Sequence, residues 1–179
     1  MTKANLNPLI FRPSRHTVVY AAPCGADRVS GHETAWALLD ELLRKERGRS
    51  LDSYTLCRSE LGKPYFSEED TPFFSLSHTA GYAAAVISAH PVGIDLEKIR
   101  PISDRIADRY LYLHPMLFTP LPGMTGRVIA WTRLESYGKI TGRGFLEKEF
   151  SLPCQFTTHY DIPGHILTVC EAHKERSAL

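Results

Sequence analysis

The sequence predicts an α+β fold, and three observations carry that reading: a capped amphipathic helix beginning near residue 30, a cluster of short strand-like runs from Phe73 to Glu97, and a second helix followed by a hairpin. The first helix starts where Ser30 and, three residues on, Glu33 have the spacing of a capping box. Trp36, Leu38, Leu39, Leu42 and Leu43 then supply one apolar face until Gly48 ends it. Arg44, Lys45, Arg47 and Arg49 close the helix; they are either a solvated end that suits the negative pole of its dipole or a phosphate contact.

From Phe73 the period shortens to two. Phe73 to Ser77, Tyr82 to Ser88 and Val92 to Glu97 are separated only by His78-Thr79-Ala80-Gly81 and Ala89-His90-Pro91, which predicts an antiparallel meander. Arg100 to Gly126 contains Pro101, Pro115, Pro120 and Pro122 and reads as broken helix and loop. Arg127 to Thr141 is helical, stopped by Gly142 and Gly144. The last elements are strands near Cys154 to Tyr160 and His165 to Glu171 around Asp161-Ile162-Pro163-Gly164.

These elements fit one folding unit spanning residues 1–179, with an N-terminal half of about 1–90 and a C-terminal half of about 91–179. At 43% hydrophobic and 23% charged residues the chain has the composition of a globular protein, and a net charge of +1 gives no global attraction to nucleic acid or membrane. Met1 to Phe11 lacks the apolar core of a secretory signal and Tyr82 to Ile87 is too short to span a bilayer, so a cytoplasmic protein is expected. The four cysteines, Cys24, Cys57, Cys154 and Cys170, lack zinc-site spacing and read as reduced structural thiols.

Three constellations carry chemistry. In Val92-Gly93-Ile94-Asp95-Leu96-Glu97 the strand period sends Ile94 and Leu96 to the core and Asp95 and Glu97 to the other face, roughly 7 Å apart at Cα. Two carboxylates so placed either converge on a hard cation or are simply the polar face of a strand. Trp131, Glu135 and Lys139 recur every four residues along one helix stripe. Glu135 and Lys139 there form either a solvated ion pair or two groups reaching one ligand, and the aromatic on the stripe favours a cleft. Finally, Ser77 and His78 end a strand just after Gly62-Lys63-Pro64, bringing three kinds of phosphate donor into one region.

Taken in order, Gly62-Lys63-Pro64, Phe74 through Ser77-His78, Gly93-Ile94-Asp95-Leu96-Glu97 and Trp131-x-x-x-Glu135-Ser136-x-x-Lys139-x-x-Gly142-x-Gly144 resemble the signature of the Sfp-type 4'-phosphopantetheinyl transferases. The likeness runs from about Leu61 to His173. It implies two pseudo-symmetric α/β halves with antiparallel strands and a site in the cleft between them. It also implies that Asp95, Glu97 and Glu135 hold Mg2+ against the pyrophosphate of coenzyme A, and that Lys63, Pro64, Ser77, His78 and Lys139 contact the coenzyme or lie beside it. Glu135 and Lys139 are the catalytic candidates, with Glu135 or a metal-activated water as base. The implied reaction is that of a holo-[acyl-carrier-protein] synthase: phosphopantetheine passes to a serine of an apo acyl or peptidyl carrier protein and 3',5'-ADP leaves. A non-catalytic paralogue that binds coenzyme A or a carrier protein is the alternative.

The resemblance has three departures. Leu134 stands where the family often has lysine, Met116 and Leu117 follow Pro115 where an acidic residue is common, and the segment before Gly62 is shorter than in typical members. Arg44, Lys45, Arg47 and Arg49 are the candidates to replace adenine and 3'-phosphate contacts. With both parts of the site in one chain, a working monomer is expected. The locally basic stretch from Lys98 to Arg127, with Leu111, Met116, Leu117 and Phe118, is expected to face the carrier protein.

Overall fold

The structure, a computed structural model, describes residues 6–117, 123–144 and 150–172. Its strands are β1 (Leu9–Ser14), β2 (Thr17–Pro23), β3 (Leu56–Arg58), β4 (Pro64–Phe66), β5 (Phe73–Thr79), β6 (Tyr82–Ser88), β7 (Val92–Lys98), β8 (Cys154–His159) and β9 (His165–Ala172). Helix α1 is Arg28–Arg47, α2 is the single turn Asp104–Ile106, and α3 is Gly123–Thr141. The proline-rich stretch is broken as its composition implied, into α2, a π turn at Ala107–Leu111 and a 3-10 turn at Pro115–Leu117. Phe118, Pro120, Pro122 and His173 lie outside the described residues. No helix of the described residues is long and apolar enough to cross a membrane.

Helix α1 starts earlier than its capping-box spacing suggested. Asp27, in extended conformation, is the N-cap and accepts from Ser30 N at 2.9 Å, while the Ser30 hydroxyl accepts from Gly25 N at 2.9 Å. An aspartate both accepts the orphan amide and meets the positive end of the helix dipole, so it takes the cap over a serine three residues later. Gly48, at φ 67°, closes the helix in the left-handed region as expected.

Two larger sheets face each other. One has the order β1-β2-β6-β5 and the other β7-β9-β8, each antiparallel; β3 and β4 pair separately. On one face of the first sheet Tyr20, Ala83, Ala85 and Phe74 pack against Leu38, Leu39, Leu42 and Leu43 of α1. On its other face Val19, Ala84 and Val86 meet Ile94, Leu96, Leu167 and Val169 of the second sheet. Helix α3 covers the far side of that sheet, where Val128 and Ile129 pack on Ile166 and the Thr132 and Thr168 hydroxyls lie 2.7 Å apart. The layers therefore run helix, sheet, sheet, helix, a mixed arrangement compatible with an α+β fold.

The predicted meander breaks at its third strand. β5 and β6 form a hairpin, but β7 pairs with β9, Ile94 opposite Val169, and not with β6. What joins β5 to β7 is side chain: Ile94 N donates to Ser75 Oγ at 3.2 Å and Leu96 N to Ser77 Oγ at 3.1 Å. The free edge of β7 is satisfied by two serine hydroxyls at the strand period of two. β1 to β4 were not anticipated from the sequence.

All four cysteines are free thiols. Cys154 and Cys170 hydrogen-bond across β8 and β9, and burial raises the Cys170 thiol well above its ordinary range.

Candidate active site

Strand β5 divides its last polar residues between two faces. Ser77, opposite Ala84, points toward β7, whereas His78, opposite Ala83, points toward α1. Ser77 is buried and its hydroxyl is fully used: it donates to Asp95 Oδ1 at 3.0 Å and accepts from Leu96 N and from Lys139 Nζ, the latter at 3.1 Å.

Helix α3 lies directly on β7. A side chain at Gly93 would fall on the Ser136 carbonyl oxygen, so the bare Gly93 backbone sets the separation at which Lys139 reaches the strand. The Lys139 ammonium places its three donors on Asp95 Oδ1 at 2.8 Å, Ile94 O at 2.8 Å and Ser77 Oγ. Asp95 is only 5% exposed, and its Oδ2 is buried with no hydrogen-bond partner.

The other two carboxylates flank this pair. Burial, then the Asp95 charge, raises Glu97, whose side chain hydrogen-bonds Trp131. Burial pushes Glu135 up to about 7, with Asp95 and Glu97 adding to the rise and Lys139 opposing it. Of the Trp131-Glu135-Lys139 stripe, Lys139 reaches β7 and Trp131 meets Glu97. Among the described residues no group of three or more His, Cys, Asp and Glu side chains is drawn together closely enough to hold a metal ion. The donor set nevertheless fits a divalent cation: Asp95 has an unpartnered buried oxygen, and its charge raises both Glu97 and Glu135, an imbalance a cation relieves.

Beside the carboxylates opens a cleft of about 580 Å³ whose wall includes Lys63, Pro64, His78, Glu135 and Lys139. Ser77, Asp95 and Glu97 lie outside that wall. Lys63 Nζ donates to Ile140 O at 2.8 Å, near the C-terminal end of α3, and burial lowers its ammonium to about 8. Burial also lowers His78, with further contributions from His32, Lys139 and Arg28. The basic groups at the end of α1 are not part of this wall: Arg44 pairs with Asp40 at 2.9 Å, and Arg49 donates to Ser53 O and stacks over Tyr54.

Sequence reasoning missed His32, Trp36 and Arg58, which complete the cleft. The four-residue spacing of His32 and Trp36 on α1 was a legible signal for a shared face.

No family profile matches the chain. Individual relatives do. The chain is 32% identical over 91 residues to the 4'-phosphopantetheinyl transferase gsp of Aneurinibacillus migulanus, covering 49% of this chain and 38% of that one. It is 27% identical over 139 residues to the 4'-phosphopantetheinyl transferase Sfp of Bacillus subtilis strain 168, covering 65% and 62%, and 31% identical over 87 residues to psf-1 of Bacillus pumilus, covering 46% and 37%. All the relatives it matches, at 25–32% identity, are named 4'-phosphopantetheinyl transferases, which supports the Sfp-type family that its motifs resemble. Its matches span less than two thirds of each of these relatives' lengths.

One departure from the Sfp-type family pattern has a structural reason. Leu134 is 1% exposed and packs with Ala107, Leu111 and Leu117, on the side of α3 turned away from Lys139. A lysine there would put an ammonium into an apolar cluster, so the leucine supports the helix.

Proposed function

We propose that the chain transfers the 4'-phosphopantetheine moiety of coenzyme A to a serine of an apo carrier protein, with Mg2+ as metal and 3',5'-ADP as product. The observation that supports this reading is the Lys139–Asp95 pair, with an unpartnered oxygen on Asp95 and Glu135 beside it on the cleft wall. Asp95, Glu97 and Glu135 would hold the metal. When bound, magnesium supplies charge neutralisation for the pyrophosphate oxygens.

The chain's own residues do the rest. Lys139 and Lys63 bring fixed positive charge to the cleft, and His78 adds a ring nitrogen as donor. Burial of Lys63 strengthens its attraction for phosphate, because little water competes for it. Glu135 is the chain's candidate for accepting the proton of the attacking serine, since its carboxyl lines the cleft. Pro64 stiffens the loop that presents Lys63.

The carrier would dock on the stretch from Lys98 to Arg127. Of the groups counted at first as partner-facing, Leu111 and Leu117 are fully buried beneath it and Met116 is exposed; Tyr112 and Leu113 are exposed with it, beside exposed Arg105 and Arg109. Arg127 is committed internally, 2.6 Å from Asp104 and donating to Tyr112. An apolar patch rimmed by arginine suits an acidic helical partner.

The test is direct. Incubation with coenzyme A, Mg2+ and an apo carrier protein should add the mass of one phosphopantetheine to the carrier. Binding of coenzyme A without that gain would instead identify a non-catalytic paralogue.

A further inference from the structure

The second sheet carries a pair of thiols that form no part of the cleft wall. Cys154 stands opposite Ala172 and Cys170 opposite Phe156, so the two cysteines are diagonal neighbours on one face of the β8–β9 ladder. That face is the one α3 covers. Thr168, two residues before Cys170, meets Thr132 there, and the Arg133 guanidinium lies over the Phe156 ring. Cys170 is fully buried on the same rung as Gly93, whereas Cys154 is half-buried on the strand that ends the sheet. Cys24, just after β2, and Cys57, on β3, belong to other elements.

The two thiols hydrogen-bond to each other. That bond lowers the Cys154 thiol, against the effect of its burial, while burial and the same bond raise Cys170. The more accessible sulfur is therefore also the better nucleophile, and the buried one stands within its reach. Diagonal positions are spaced by roughly 7 Å at Cα, wider than the about 5.5 Å that a disulfide takes. Closing the bond needs a small shift of backbone, which β8 can supply because it is paired on one side only. The reduced pair fits the sheet as it stands, and an oxidant is needed to drive the bond.

We propose that Cys154 and Cys170 form a reversible oxidation site, in which Cys154 reduces a peroxide and Cys170 captures the product as an intrachain disulfide. In the first step the Cys154 sulfur attacks one oxygen of hydrogen peroxide and the O–O bond breaks. The hydroxide released takes the thiol's proton and leaves as water, and Cys154 becomes a sulfenic acid. In the second step the Cys170 sulfur attacks the sulfenic sulfur, the S–S bond forms as the S–O bond breaks, and the hydroxide leaves as water with the Cys170 proton. Two electrons pass from the thiols to the peroxide. Capture within the chain outruns further oxidation, so the pair spares Cys154 from the sulfinic and sulfonic acids that a thiol cannot reverse. Either acid would set a half-buried negative charge beneath the helix that carries Glu135 and Lys139.

The test is mass spectrometry of wild type, Cys154→Ser and Cys170→Ala after mild treatment with hydrogen peroxide and alkylation of the remaining thiols in denaturant. Before alkylation the wild type should be about 2 Da lighter, and its digest should contain a peptide pair joined through residues 154 and 170. Cys24 and Cys57 should still be open to alkylation, and dithiothreitol should restore all four thiols. Cys170→Ala should instead gain about 32 or 48 Da at Cys154, which dithiothreitol does not remove. Cys154→Ser should leave Cys170 unoxidised at the same peroxide dose. Absence of the joined peptide from oxidised wild type, or its replacement by disulfide-linked dimers, would overturn the proposal whether or not the variants fold. Oxidation of Cys154 to the sulfinic acid at one rate with and without Cys170 would overturn it too.

Discussion

The ammonium of Lys139 lies 2.8 Å from one oxygen of Asp95, and the other oxygen of that carboxylate is buried with no partner. Removing the lysine leaves a buried charge uncompensated, while removing the charge from Asp95 leaves a lysine that can reorient toward the cleft. Lys139→Ala should cost about 3 kcal/mol of stability, and Asp95→Asn clearly less. Lys139→Arg should restore only part of the loss, since a planar guanidinium cannot match three acceptors set for a compact ammonium. Urea midpoints of the three variants measure this; equal midpoints for Lys139→Ala and wild type would reduce the pair to a surface contact.

Glu135 gives the fold a pH dependence of predictable sign. Its carboxyl is raised from the ordinary 4.5 to about 7, so between those values the folded protein holds a proton that the unfolded chain has lost. Stability from this group therefore falls as pH rises through that window. Glu135→Gln should flatten the slope and be more stable than wild type by about 2 kcal/mol at pH 8, with little difference at pH 4. Denaturation of both proteins at the two pH values decides it, and a wild-type slope unchanged by the substitution would show that Glu135 ionises normally.

Gly93 fixes the approach of α3 to β7. Gly93→Ala should destabilise the protein by about 3 kcal/mol or more, because the added methyl falls on a backbone carbonyl that cannot rotate away. Gly164→Ala is the control: its surroundings are open and only the left-handed φ of 71° opposes the methyl, which should cost about 1 kcal/mol. Thermal unfolding of the two variants should rank them in that order.

The carrier surface makes a kinetic prediction. Arg105→Glu with Arg109→Glu should raise the KM for an acidic carrier protein roughly tenfold and weaken its salt dependence, leaving the KM for coenzyme A nearly unchanged. Steady-state kinetics at two ionic strengths measures both. Equal harm to the two substrates would mean that the reversal disturbed the fold.

Much of this was legible in the residues. The helix ending at Gly48, the β5–β6 hairpin and the β8–β9 hairpin follow from local period and turn chemistry, which the chain obeys at those points. β2 was hidden because Thr17 to Ala22 is buried on both faces and does not alternate, and β3 and β4 have only three residues each. The partner of β7 was beyond local reading, since β9 lies some seventy residues further along the chain. At the site, the spacing of Trp131, Glu135 and Lys139 predicted one stripe; Glu135 and Lys139 line the cleft, while Trp131 lies outside its wall and hydrogen-bonds Glu97. Ser77 and His78 looked like a pair but are separated by the strand's own alternation; His32 joins His78 only because Gly31 lets α1 come close.

The serine rungs between β5 and β7 bear on how the chain could be divided. Every backbone ladder of the β1-β2-β6-β5 sheet is made by residues before Ala89, and every ladder of the β7-β9-β8 sheet by residues after Pro91. Ser75 and Ser77 thus join two pieces whose ladders are each complete within themselves. A polypeptide cut at His90 would sever no strand pairing, and the two fragments, expressed separately, should find each other through the shared apolar interface of Val19, Ala84, Ile94 and Leu167. The hydroxyls at 75 and 77 would then act as a key for the correct docking, because a slip of one residue leaves two strand amides without acceptors.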